Sequence, residues 1–178
     1  MIDRLPHRAS RVVLRTLRTD DLDAFLAFRS RADVARYQGW TPMSREDALA
    51  FLRMEGTDAP LVPGAWRQIG IAGVTDDVLV GDLGVHPSDD GTTVEIGISM
   101  HPDHQGLGLG SEATRALVEL LFAHTPARRV VALTDARNEG AIRSLRKVGM
   151  RRISSRSAEF KGERCVEYEF AIDRDAGR

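Results

Sequence analysis

The chain carries one cysteine among 178 residues, so no internal disulfide can form, and a reducing compartment suits that usage. Cys165 falls in an alternating strand pattern, where it reads as a small filler rather than a nucleophile. An excess of one charge is also missing. Lys and Arg number 25 against 26 Asp and Glu, for a formal net charge of -1. That balance gives no reason to expect a nucleic-acid or anionic-membrane partner. No apolar run is long enough to span a bilayer, and the opening MIDRLPHRAS lacks the apolar segment of a signal peptide. These absences point to a cytoplasmic protein. Without repeats, low-complexity tracts or a composition shift, residues 1–178 read as one domain, with 173–178 a frayed polar tail.

The chain's most informative stretch is Thr93 to Ala123, TVEIGISMHPDHQGLGLGSEATRALVELLFA. Val94, Ile96, Ile98 and Met100 alternate with Glu95, Gly97 and Ser99, which is a strand with one apolar face. The chain turns at Pro102 and passes through Gln105-Gly106-Leu107-Gly108-Leu109-Gly110. After Ser111, the residues Ala113, Leu117, Leu120 and Leu121 recur at helical spacing. Three glycines at the join expose backbone N–H groups at the positive end of a helix, an anion site suited to phosphate or pyrophosphate. The spacing is neither Walker A nor G-x-G-x-x-G, and a tight turn needing glycine for geometry alone is the competing account.

Around this stretch the chain reads as follows. A first strand spans Val12 to Leu17. One helix is capped by Thr19-Asp20-Asp21, and a second starts at Ser44 with Asp47 three residues on. The connector between them, RADVARYQGWTPM, carries Tyr37 and Trp40. Antiparallel strands follow near 66–74, 78–85 and 92–100. RVVALT, from Arg129 to Thr134, is apolar enough to be a buried strand parallel to the one before the long helix. Asn138 caps a further helix stopped by Gly149. A hairpin of 152–160 and 164–172 turns at Lys161-Gly162-Glu163. Val166, Tyr168, Phe170 and Ile172 share one of its faces, opposite Cys165, Glu167 and Glu169. The doublet His101 and His104 has no second ligand pair, so no metal is expected.

The loop Gln105-Gly106-Leu107-Gly108-Leu109-Gly110 resembles the Q/R-x-x-G-x-G/A signature of the GCN5-related N-acetyltransferases. NEGAIRSLRKVGM, from Asn138 to Met150, is similar to the second motif of that superfamily. Val94-Glu95-Ile96-Gly97 together with Ala158-Glu159-Phe160 looks most like its ribosomal-protein-alanine branch. The resemblance spans nearly the whole chain. It implies a layered α+β fold, β-α-α-β-β-β-α-β-α-β-β, with a mixed, mostly antiparallel seven-stranded sheet and helices on both faces. It also implies that the strands flanking the loop and its helix splay apart to hold an acyl donor.

On that resemblance the expected chemistry is transfer of an acetyl group from acetyl-CoA to a primary amine, with no metal. Gln105, Gly106, Leu107, Gly108, Leu109, Gly110 and Ser111 would hold the pyrophosphate, and Ile98, Ser99, Met100 and Asn138 the pantetheine arm. Tyr37 and Trp40 would line the acceptor mouth. An amine is mostly protonated at neutral pH, so a carboxylate must take a proton. Glu159 and Glu95 are the candidates: the resemblance favours Glu159 as the base, with Glu95, from its strand position, orienting the acceptor or holding a water. Leu145 and Ala141 depart from the family pattern, which places a Tyr and, in the ribosomal branch, a Ser at these positions. Water, Ser99 or Ser144 would have to serve the leaving thiolate. The acceptor stays open among a peptide N-terminus, an aminoglycoside, a polyamine and a small amine, and a homodimer is admitted. A non-catalytic CoA-binding module and a nucleotide-phosphate binder are the rival readings.

Overall fold

The computed structural model describes residues 4–57 and 59–174. Eight strands, β1 (His7–Arg8), β2 (Val12–Arg15), β3 (Arg67–Gly73), β4 (Leu79–Pro87), β5 (Thr93–Met100), β6 (Arg129–Asp135), β7 (Arg151–Phe160) and β8 (Glu163–Asp173), form one sheet. The helices are α1 (Leu22–Arg29), α2 (Ala32–Ala35), α3 (Arg45–Glu55), α4 (Leu109–His124) and α5 (Glu139–Val148). The sheet runs β1-β2-β3-β4-β5-β6-β8-β7, antiparallel except between β5 and β6. All seven expected strands are present. Two-residue β1 makes an eighth, too short to carry a periodic signal, and the single-turn α2 was likewise invisible within its connector. The expected tail begins later than 173. Asp173 closes β8 against Arg129 at 2.7 Å and Arg174 bonds the Arg128 carbonyl; residues 175–178 lie outside the described residues.

The caps of α3 and α5 follow their sequence signals, whereas Thr19–Asp21 form a 3-10 turn ahead of α1 and give that helix no side-chain cap. Ser44 Oγ accepts the Asp47 amide at 3.1 Å and donates to its carboxylate at 2.6 Å. Gly149 takes the left-handed conformation, φ 100°, at the end of α5. Between the caps, apolar spacing decides what each helix covers. Leu117, Leu120 and Leu121 of α4 join Ile142, Leu145 and Val148 of α5 in one core, with Val12, Leu14, Ile69, Ile71, Leu83, Val94 and Ile96 of the sheet. Phe25 and Phe28 of α1 and Ala48 and Leu52 of α3 form a second core with Leu17 and Leu79. Full burial of each such Leu or Phe contributes roughly 1.5–3 kcal/mol.

One ionic contact fixes α1 to the sheet. Arg29, at the end of α1, donates through Nε and Nη2 to the Asp82 carboxylate of β4 at 2.9 and 2.6 Å, and both side chains are buried. Burial pushes the Asp82 carboxyl up, against the opposing pull of Arg29 and of the Ser99 hydroxyl that bonds it. The Arg29 guanidinium also lies over the Trp40 ring at 4.5 Å.

Removing one partner of this pair leaves a charge buried and unmatched. Asp82→Ala is expected to lower unfolding stability by about 3–5 kcal/mol in urea titration. A loss under about 1 kcal/mol would show that the pair does not hold α1 in place.

Candidate active site

β5 and β6 pair only through Thr93–Arg129, Val94–Val130 and Glu95–Val131. Beyond that point β5 stays in register with β4 as far as Met100, while β6 follows β8 as far as Asp135. The two strands part, and a cleft of about 660 Å³ opens at the gap. Its outer part runs over Gln105, Gly106, Gly108, Gly110 and Ser111, along Ile98–Met100, and across Asn138, Arg143, Ser144 and Lys147 of the α5 segment. Its narrow inner part lies between Ile96–Ile98 of β5 and Ala132–Thr134 of β6, with Leu145 and Thr114 also on its wall. Tyr37, Gln38, Ile98, Asn138, Ala141 and Ser144 line both parts.

The glycine loop has the shape its spacing implied. Gly106 and Gly108 have φ of 74° and 81°, a region where an L side chain is strained. Gly110 is needed for close approach, since a Cβ there would lie 3.2 Å from Ile98 Cδ1. Gly108 is the N-cap of α4, so the first turn of that helix presents amides that have no intrahelical acceptor. Arg11, which the sequence did not single out, pins this loop. It donates to the Leu107 carbonyl at 3.0 Å and, through its backbone and Nε, to Glu112 at 2.6 and 2.8 Å. Partial burial raises the Glu112 carboxyl, but the Arg11 contacts outweigh it and hold the group below its ordinary value.

On α5, Asn138 Oδ1 accepts the Ala141 amide at 3.2 Å, which makes Asn138 the N-cap, and the residue also lines the cleft. The side chains of Leu145 and Ala141 have no polar atom, so neither can give a proton. Ser144 Oγ and Ser111 Oγ form a 2.9 Å hydroxyl pair across α5 and α4. Ser99 is already engaged, because its hydroxyl bonds Asp82 and accepts from Trp40 Nε1 at 3.3 Å. His101 Nδ1 accepts the Asp103 amide, the role of a local turn cap.

The two glutamates are placed differently. Glu95 is half-buried on the same strand face as Gly97 and Ser99, across from His86. Burial is the main cause that raises its carboxyl, assisted by Glu167 and Glu169 and opposed by His86 and Arg156. Glu159 is exposed near the hairpin turn, paired in register with Arg164. Neither side chain is part of the cleft wall, and of the expected loop residues Leu107 and Leu109 turn away from it as well. Tyr37 lines the cleft; Trp40 lies behind it on Ser99.

A cleft between splayed strands, with a glycine loop and a helix N-terminus at its mouth, suits a ligand that carries an anionic group and an extended arm. The acetyltransferase (GNAT) domain model matches residues 11–151, and the chain belongs to that family. It is an N-acetyltransferase, moving an acetyl group to an amine. The uncharacterized N-acetyltransferase YnaD of Bacillus subtilis is 29% identical over 143 residues, covering 80% of each chain. A GNAT-family acetyltransferase from Bacillus anthracis superposes with a TM-score of 0.83 at 24% identity, over 94% of this chain and 98% of the other. RimL, a ribosomal L7/L12 alpha-N-protein acetyltransferase solved with coenzyme A, gives 0.80 at 17% identity, over 96% and 98%. Spermidine N-acetyltransferase from Vibrio cholerae, solved with CoA and spermine, gives 0.78 at 17%, over 93% and 97%. Identities this low show the shared fold.

If Asn138 caps α5 as its geometry indicates, Asn138→Ala should lower stability by about 1 kcal/mol. Equilibrium urea unfolding at constant m-value checks it; an unchanged midpoint would free Asn138 from any structural role.

Proposed function

We propose that the chain is an acetyl-CoA-dependent N-acetyltransferase that works as a single cytoplasmic domain on a primary amine. The observation that carries this reading is the end of β5–β6 pairing at Glu95 and Val131, which leaves a passage whose outer mouth is the glycine loop. The residues present fit the donor. The loop amides, the Ser111 hydroxyl and the N-terminus of α4 suit a pyrophosphate, and Gly108 keeps its approach free of a Cβ. Arg143 and Lys147 add positive charge on the α5 wall. The edge of β5 from Ile98 to Met100 can take an amide-bearing arm as an added strand, with the Asn138 NH2 beside it. Acetyl-CoA supplies pyrophosphate, arm and activated acyl group together, whereas a nucleotide alone would leave the inner cleft unused.

The acceptor approaches from the other face of the sheet, where Glu95, Glu167 and Glu169 gather. Their charge draws in a cationic amine. We assign the proton-accepting role to Glu95, directly or through a water, because burial brings its pKa toward the working range. Glu159, exposed on the hairpin, is assigned to acceptor contacts. The freed amine attacks the thioester carbon while a backbone N–H near Met100 meets the oxygen that gains charge. The carbon–sulfur bond then breaks with its electron pair on sulfur. The proton that the attacking nitrogen then sheds reaches that sulfur through water, since Ser111 and its partner Ser144 stand at the pyrophosphate end of the arm. The ribosomal-branch resemblance favours a peptide N-terminus as acceptor, with a polyamine or aminoglycoside the competing choices.

Release of free CoA thiol from acetyl-CoA across a panel of N-terminal peptides, spermidine and aminoglycosides tests the reading. Amine-dependent release is expected. CoA binding without turnover on any amine would favour a non-catalytic CoA module, and a thermal shift with ATP but not CoA would favour a nucleotide binder.

Two variants follow. Gly108→Val places a branched chain at φ 81° where phosphate must approach, and CoA affinity by calorimetry should fall at least about tenfold, about 1.4 kcal/mol. Unchanged affinity would move the phosphate elsewhere.

Glu95→Gln keeps size but cannot accept a proton. Turnover should drop roughly a hundredfold with donor affinity unchanged. The active form of Glu95 is the carboxylate, so wild-type activity is lost as pH falls through its raised pKa. That acidic limb should lie above the ordinary Glu value of about 4.3 and vanish in the variant. A raised folded-state pKa also means that ionised Glu95 costs stability once pH exceeds the unfolded-state value. Glu95→Gln should therefore not lower the melting temperature at neutral pH. Loss of the limb in Glu159→Gln instead would reverse the assignment.

A further inference from the structure

The segment from Ala35 to Trp40, which leads from α2 toward α3, is tied down on both sides of the cleft. Lys161, in the β7–β8 turn, donates through Nζ to the Ala35 and Trp40 carbonyls, each at 2.8 Å. Trp40 Nε1 reaches Ser99 Oγ, and its ring is held under Arg29. Between these anchors, Gln38 Nε2 donates to the Ile98 carbonyl at 3.0 Å.

That carbonyl lies three residues beyond the last β5–β6 pair, on the strand edge left open by the splay. It is where an extended ligand would add to β5 through its own amides. A glutamine side chain carries the same N–H donor as an amide-bearing arm. The carbonyl has two lone pairs and could accept from both. However, Gln38 lines the outer and the inner cleft, so its side chain lies across the route that an arm must follow.

Resting on the reading that the cleft takes CoA, we infer that Gln38 is a placeholder for the donor arm. In the empty cleft its amide satisfies Ile98. When the arm lies along β5, it takes over that carbonyl and Gln38 turns out of the passage. Lys161 keeps residues 35 and 40 in place, so the movement is confined to the Arg36–Gly39 span. A Cβ at Gly39 would meet nothing within 4 Å, which leaves room for it. Tyr37 moves with Gln38, while Trp40 stays on Ser99 at the end of the moving span and senses the change beside it.

The sequence has two tryptophans, Trp40 and Trp66, and a Trp66→Phe background leaves Trp40 as the only reporter. The probes are CoA and phosphoadenosine diphosphate, its nucleotide half without the arm. Calorimetry should show binding of both, while CoA alone shifts the Trp40 emission. Gln38→Ala removes the competing contact, so CoA should bind about threefold to tenfold more tightly, with the nucleotide half unchanged. Equal emission shifts with both probes, no shift with either, or CoA affinity unchanged or weaker in Gln38→Ala would each overturn the placeholder. If neither probe binds to the wild-type chain, the donor reading falls and the placeholder falls with it.

Discussion

Everything at the site depends on where β5 stops pairing with β6. After Glu95 and Val131, β5 is held by β4 through Gly81–Met100, and β6 by β8 through Asp135–Glu167. Each strand satisfies one edge with its antiparallel neighbour and gives up the other. Backbone groups in a gap of this kind seek partners, and they are available only because glycines, an asparagine cap and two glutamine side chains stand around it. Gln38 meets the Ile98 carbonyl and Gln105 meets that of Met100, at 3.0 and 3.1 Å. The cleft is thus a local defect in sheet pairing, stabilised from outside the sheet.

Support for the opening comes from three directions. Arg11 and Glu112 hold the loop against the start of β2. The Arg29–Asp82 pair holds α1, Trp40 and Ser99 as one buried unit on the face opposite α4. Lys161 carries the hairpin to the connector after α2. The desolvation of Asp82 shows that the middle support is costly, which suits a contact that fixes geometry as much as it adds stability.

Much of the fold could be read in advance because its signals are local. Alternation set β3, β4, β5 and the hairpin; caps at Ser44, Asn138 and Gly149 set helix ends; three glycines in six residues marked the loop before α4. Residues whose role depends on a distant partner could not be read this way. Arg29 looked like one more polar residue at the end of a helix until Asp82, 53 residues on, was beside it. Arg11, Gln38 and Lys161 gave no periodic or motif signal, since each acts through a carbonyl or carboxylate brought near by the sheet. The resemblance favoured Glu159 as the base, and burial separates the two glutamates the other way: Glu95 is half-buried among carboxylates on a central strand, Glu159 lies in solvent.

By itself, then, the sequence determined the element order, the glycine loop and the family, because backbone conformation and helix capping are settled within a few residues of chain. Only the tertiary structure decided how wide the passage is, which side chains line it, and which carboxylate is desolvated. Those properties arise from strand register and from pairs of residues up to 126 positions apart, and no local pattern encodes them.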